Sequence, residues 1–221
     1  MSTLTTNYLD IIERLPAGAK LELFNIDWDE YEHLLTQMES FHPGHRLIYD
    51  RGRLIVVSPS AEHEHYKDFI LGLVRTLCDE TDVILESWGA TTFKRKALKK
   101  GVEPDTCFFV QNAASVIGRR AFPRREYPPP DVVVEIDMSN DSLDKLPIYA
   151  TLGVPEIWRY DGERTRFYKL TGESYEVIQN SLAFPTLTAQ VVTQYLELSK
   201  TEGQSATLKA FRQMLRSRAS S

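Results

Sequence analysis

The sequence predicts a fold of class α/β (α+β), and three stretches carry that prediction. Tyr66, Phe69, Ile70, Leu73, Val74, Leu77 and Cys78 fall at i, +3, +4, +7, +8, +11 and +12, a single apolar stripe along a helix. Residues 131–136 hold four β-branched apolar residues in six, the pattern of a strand buried on both faces. Residues 46–50 and 53–57 flank Arg51-Gly52 and read as a β-hairpin.

In chain order, residues 25–40 form an amphipathic helix. Leu34, Leu35 and Met38 supply its spacing, Asp27 caps it, and Glu30 stands three residues on, as in a capping box. In the hairpin, Gly52 takes the positive φ that its turn requires. Ser58-Pro59-Ser60 ends the second strand, and Ser60 caps the helix that carries the stripe. At about 100° per residue, Glu62 and His63 project from the stripe's face at its N-terminal end, whereas Glu64 and His65 fall to the flanks.

Residues 83–85 and 91–93 are candidate strands, and Gly101-Val-Glu-Pro-Asp105 leads into a third at 105–110. A basic loop follows, then Pro128-Pro129-Pro130 stiffens the entry to 131–136. Asn140 or Asp141 caps a helix running to about Leu152, although Pro147 moves its true start nearer Lys145. Gly153 stops that helix. Residues 156–160, 164–170 and 174–178 read as strands, with Asp161-Gly162 turning between the first two. A terminal helix over 206–216 places Leu208, Phe211 and Leu215 on one side.

The 221 residues suffice for one well-cored domain. Hydrophobic residues at 42% and charged residues at 26% exclude a disordered or fibrous chain. No apolar run reaches the ~20 residues of a membrane helix, and the N-terminus lacks the pattern of a secretory signal. Cys78 and Cys107 are too few for a disulfide framework and sit among apolar neighbours. Both are expected to be reduced, buried thiols in a cytoplasmic protein.

The net charge of −5 argues mildly against a polyanion partner. Its distribution argues back. Lys94, Arg95, Lys96, Lys99, Lys100, Arg119, Arg120, Arg124 and Arg125 face only Glu103 and Asp105 within their window, which carries +7. Such a stretch supplies phosphate contacts, or else forms two solvated loops.

The chemistry-bearing residues are the acids within strands. Asp105 opens a strand after Pro104, and Glu135 lies inside an apolar run. Burying a carboxylate is costly unless a cation compensates it. Two carboxylates at the ends of neighbouring strands suit Mg²⁺ or Mn²⁺, which prefer hard oxygen ligands and retain waters. Lys145, ten residues beyond Glu135 and about one turn into the next helix, is placed to position a water or to stabilise charge. It is equally placed to pair with Asp141 or Asp144 as a solvated helix residue.

Four spaced segments then occur in order: Gly101-Val-Glu-Pro-Asp105, Pro130-Asp-Val-Val-Val-Glu135-Ile-Asp137, Ser142-Leu-Asp-Lys145-Leu-Pro-Ile-Tyr149 and Gly153-Val-Pro-Glu-Ile-Trp-Arg-Tyr160. Together they resemble the Uma2 family of restriction-endonuclease-like proteins. The resemblance implies the PD-(D/E)XK nuclease fold, a mixed central sheet flanked by helices, here with an N-terminal helix and hairpin. It also implies that Asp105 and Glu135 are metal ligands, that Glu62 matches an acid on the first core helix, and that His63 matches a histidine at the same point. The expected lysine position, two residues after Glu135, is Asp137. The resemblance therefore shifts the catalytic lysine to Lys145, and Asp137 is left as a possible addition to the metal shell.

The expected organisation is an N-terminal helical extension over 1–45, a restriction-endonuclease-like core over 46–195 and a C-terminal helix over 196–221. The expected function is Mg²⁺- or Mn²⁺-dependent cleavage of DNA by Asp105, Glu135, Lys145, Glu62 and His63, with Lys94, Arg95, Lys96, Lys99 and Lys100 on the nucleic acid. Two alternatives stay open, a decayed nuclease fold that only binds nucleic acid and a protein-interaction or dimerisation module. A homodimer suits cleavage of both strands of a duplex.

Overall fold

Two twisted sheets divide the chain in the computed structural model, which describes residues 3–41, 44–119, 128–138 and 145–219. The first sheet has the order β1-β3-β2-β6-β5 and contains β1 (Lys20–Leu23), β2 (Arg46–Asp50), β3 (Arg53–Val57), β5 (Phe93–Arg95) and β6 (Lys100–Val102). All its pairings are antiparallel. The second, ordered β11-β10-β9-β8-β7-β4, contains β4 (Glu86–Ser87), β7 (Thr106–Phe109), β8 (Val132–Ile136), β9 (Glu156–Tyr160), β10 (Thr165–Thr171) and β11 (Ser174–Ile178). It is mixed, because β8 and β9 run parallel. A parallel neighbour requires a crossover, and the link between them carries α5 (Leu146–Leu152).

Strand alternation builds the layers. Val132, Val134 and Ile136 pack with Trp158 and Tyr160 against α3 (Ala61–Thr81), α6 (Ala189–Glu202) and α7 (Gln204–Ala219). The opposite face sends Val133, Cys107, Phe109 and Ile157 toward α5, α4 (Ala113–Val116) and the first sheet's Ile48, Ile55, Phe93 and Val102. Leu47, Tyr49, Leu54 and Val56 turn away from that layer, onto α1 (Thr3–Glu13) and α2 (Trp28–Phe41).

Local rules explain many of the boundaries. The Asp27 amide donates to Glu30 (3.0 Å) and the Glu30 amide to Asp27 (2.8 Å), the reciprocal capping box expected, so α2 begins at Trp28 rather than at residue 25. In the hairpin both Arg51 (φ 48°) and Gly52 (φ 98°) are left-handed, the twist that lets two-residue turns join antiparallel strands. Ser60 caps α3 by accepting from the His63 amide, and every residue of the predicted stripe is buried. Both cysteines are free and buried.

Several expectations are corrected. Residues 83–85 are not a strand; the short β4 follows them at Glu86–Ser87. The strand placed at 91–93 falls at Phe93–Arg95. Lys145 stands at the N-cap of α5, not a turn inside it, because Pro147 occupies the first turn and fits only there. The terminal helix is longer than 206–216, and α6 precedes it with a Thr188 cap and an apolar face that the sequence reading overlooked. Strand β1 and helix α1 were likewise not anticipated. The caps proposed at Asn140 and Asp141, and the pairings of Lys145 with Asp141 or Asp144, lie outside the described residues. Among the described residues no helix is long and apolar enough to cross a membrane.

Candidate active site

Glu103-Pro104-Asp105 is the crossing between the sheets, since β6 belongs to the first and β7 to the second. Two bonds fix it: the Glu103 amide donates to the Leu47 carbonyl (3.1 Å), and the Leu47 amide donates to the Glu103 carboxylate (2.7 Å). β7 and β8 are antiparallel, with Thr106 opposite Val134 and Cys107 opposite Val133. Carried one residue further, that register sets Asp105 opposite Glu135. Directly opposed residues on one face stand ~5 Å apart at Cβ, and two like charges there are destabilising without compensation. Asp105 also shares the inward face of Cys107 and Phe109, as Glu135 shares that of Val133.

The surroundings of the two acids differ. Asp105 is 6% exposed and its Oδ2 accepts from the Ile136 amide at 2.7 Å, extending the ladder through a side chain. Glu135 is 1% exposed. Its Oε2 accepts from Lys145 Nζ at 2.6 Å, and its Oε1 accepts from the Tyr149 hydroxyl, one helical turn on. Burial pushes the Glu135 carboxyl up to about 7; the charge of Lys145 opposes this, Asp105 adds to it, and the two donated hydrogen bonds oppose it. Burial alone would lower Lys145, but attraction from Glu135, Asp105 and Asp137 and its bond to Glu135 outweigh that, so the ammonium is held charged. Tyr149 is fully buried, packs in the core and is also a donor to the central carboxylate.

Asp137, at the expected lysine position, bonds Arg159 Nε at 2.7 Å, and both side chains are buried. With Asp105, Glu135, Ile136 and Lys145 it lines a cleft of about 50 Å³, whose other walls are Gly18, Lys20, Arg46, Ile48, Ile55, Val57, Ser58, Pro59 and His63. That volume accommodates an ion with a little water, or one small group. Two opposed carboxylates in so small a space fit a hard divalent cation that keeps water in its remaining positions. Among the described residues, no group of three or more His, Cys, Asp or Glu is arranged to hold a metal. The fit therefore rests on the pair.

His63 reaches the cleft, its Nδ1 bonded to Ser60 Oγ at 2.8 Å. Glu62 does not: it is exposed and its carboxylate accepts from Tyr66 one turn on at 3.2 Å. Arg46 and Lys20 are in the cleft wall although the sequence reading gave neither a role. Arg46 was visible only as the start of a hairpin, and Lys20 faces the cleft because β1 pairs Lys20 with Val57.

The basic stretch is largely spoken for. Lys94 pairs with Glu32 (3.3 Å), Lys96 with Asp29 (2.9 Å) and Lys100 with Asp50 (2.9 Å). Arg95 and Lys99 are exposed with no acidic partner among the described residues. Arg120, Arg124 and Arg125 lie outside the described residues.

The chain is similar over 74% of its length to a crystal structure from Anabaena variabilis ATCC 29413 described as "a putative nuclease belonging to DUF820", of which 97% is covered, at a TM-score of 0.52 and 15% identity. At that identity the likeness shows a shared fold. No curated protein matches the chain. The model of the Uma2 family, described as "Putative restriction endonuclease", matches residues 28–200, and the chain belongs to that family.

Proposed function

We propose that this chain is a Mg²⁺- or Mn²⁺-dependent endonuclease that hydrolyses DNA phosphodiester bonds. The observation that carries the reading is the opposed, buried Asp105–Glu135 pair with Lys145 Nζ 2.6 Å from Glu135, in one cleft. A divalent ion held by the pair would supply charge for the pentavalent transition state and acidify a bound water. Asp105 and Glu135 would be its protein ligands. Lys145, an ammonium held charged by three carboxylates, donates to an anionic oxygen or orients the attacking water. Tyr149 fixes the Glu135 carboxylate, so the pair is preorganised by packing. Asp137 is directed at Arg159 and serves as a strut. Arg95 and Lys99 are the members of the basic stretch best placed to meet the nucleic-acid backbone.

One observation favours a second reading, a nuclease fold that binds nucleic acid without cutting it. Both oxygens of Glu135 are already satisfied by Lys145 and Tyr149, so metal binding must displace or share a bond. Incubation of supercoiled plasmid with Mn²⁺ separates the two. Nicking by the wild type that disappears in Lys145→Ala and Glu135→Gln supports hydrolysis. Salt-sensitive DNA binding without product under either metal supports the second reading.

A further inference from the structure

The cleft lining also holds Arg46, Lys20 and His63, which the hydrolysis described above leaves unused. Arg46 opens β2, lines the cleft and is 8% exposed. Three hydrogen bonds hold its guanidinium: Nη1 donates to the Gly44 carbonyl at 2.8 Å and the His45 carbonyl at 3.4 Å, and Nη2 to Glu64 Oε1 at 3.2 Å. The Nε donor is buried and has no hydrogen-bond partner. Leaving a buried donor unmade is costly, and a charged one more so. Glu64 does not neutralise the site fully, because it is shared with Lys67. Lys20 and His63, the third residue of the 21-residue α3, line the same cleft.

We propose that Arg46, with Lys20 and His63, binds one phosphodiester group of a nucleic-acid backbone and holds it against the Asp105–Glu135 pair. The substrate class rests on the nuclease reading; the anion site rests on the wall itself. The cleft has room for a group of a few heavy atoms. A guanidinium with its orientation fixed by these bonds suits the tetrahedral oxyanion of a phosphate. An anion brought beside two carboxylates is repelled by them, so it requires a tether on the other side, which Arg46 provides.

The test uses inorganic phosphate as the probe, in EDTA, with thermal melts of wild type, Arg46→Gln, Arg46→Lys and Glu64→Gln. Wild type and Glu64→Gln are expected to gain stability with phosphate, Arg46→Gln to gain none, and Arg46→Lys to gain less than half as much. A short DNA duplex in EDTA should bind Arg46→Gln roughly tenfold more weakly, with the salt slope reduced by about one. Equal phosphate shifts in wild type and Arg46→Gln, or no shift in wild type, overturn the site. If Arg46→Gln does not fold, a full wild-type phosphate shift in Arg46→Lys overturns it instead. A lost phosphate shift with unchanged duplex affinity overturns the backbone assignment and leaves free phosphate as the ligand. No step here requires cleavage. A wild type that binds phosphate through Arg46 but never nicks plasmid retires the nuclease reading alone, and a nicking enzyme indifferent to Arg46→Gln in both assays retires the anion site alone.

Discussion

In metal-free protein, ionised Glu135 works against the fold, and this has a measurable pH signature. Its carboxyl is raised from an ordinary 4.5 to about 7 in the folded state, chiefly by burial. Between those values the folded chain holds a proton that the unfolded chain has released, so unfolding free energy falls as pH rises. The loss begins near pH 4.5 and is complete above pH 7. At 1.36 kcal/mol per unit it amounts to on the order of 3 kcal/mol. In a chain of this length each kcal/mol moves Tm by roughly 2–4 °C, so the effect is roughly 6–12 °C. Glu135→Gln keeps the shape and an acceptor for Tyr149 but removes the titration. Melts in EDTA at pH 5 and pH 8 should show wild type losing more Tm than Glu135→Gln by that amount. Identical pH profiles for the two proteins would refute the claim that Glu135 is a desolvated acid with incomplete compensation.

Other substitutions probe the frame. Arg159→Met leaves Asp137 buried without its main partner and should cost about 3–5 kcal/mol in urea denaturation; a loss under about 1 kcal/mol would mean that Asp137 is free for another role. Gly101→Ala places a Cβ against the Tyr31 hydroxyl and 2.8 Å from its Cζ, inside the stacked Tyr31–Tyr49 pair. It should cost about 1–3 kcal/mol by overpacking, read as a lower denaturation midpoint. Arg95→Gln combined with Lys99→Gln should reduce the salt slope of duplex binding by about two, measured by anisotropy; an unchanged slope would move the nucleic-acid contact elsewhere.

Much of the fold was legible because periodicity and capping act locally. The α3 stripe and its Ser60 cap, the Asp27–Glu30 box and the Arg51-Gly52 turn each need only a few neighbouring residues. The acids of the site were legible for a related reason: a carboxylate such as Glu135 in an otherwise apolar strand demands a partner. What the sequence did not show depends on pairing across distance. β1 is a short strand with polar alternation, recognisable only once Lys20 meets Val57 in the neighbouring strand. Arg46 enters the site because the first sheet folds over the second, and Tyr149 donates to Glu135 because α5 starts at Leu146 rather than earlier. The basic stretch misled by its one-dimensional charge: Glu32, Asp29 and Asp50, remote in sequence, neutralise three of its five lysines and arginines between 94 and 100.

The proposed chemistry requires Asp105 and Glu135 together to hold a divalent cation. Calorimetric titration of Mn²⁺ into the metal-free chain measures this, beside Asp105→Asn, Glu135→Gln and Asp137→Asn. Binding by the wild type that is lost in each of the first two variants and kept in Asp137→Asn is the predicted result. Binding that survives both Asp105→Asn and Glu135→Gln, or no binding by the wild type, would show that the pair is not a metal site.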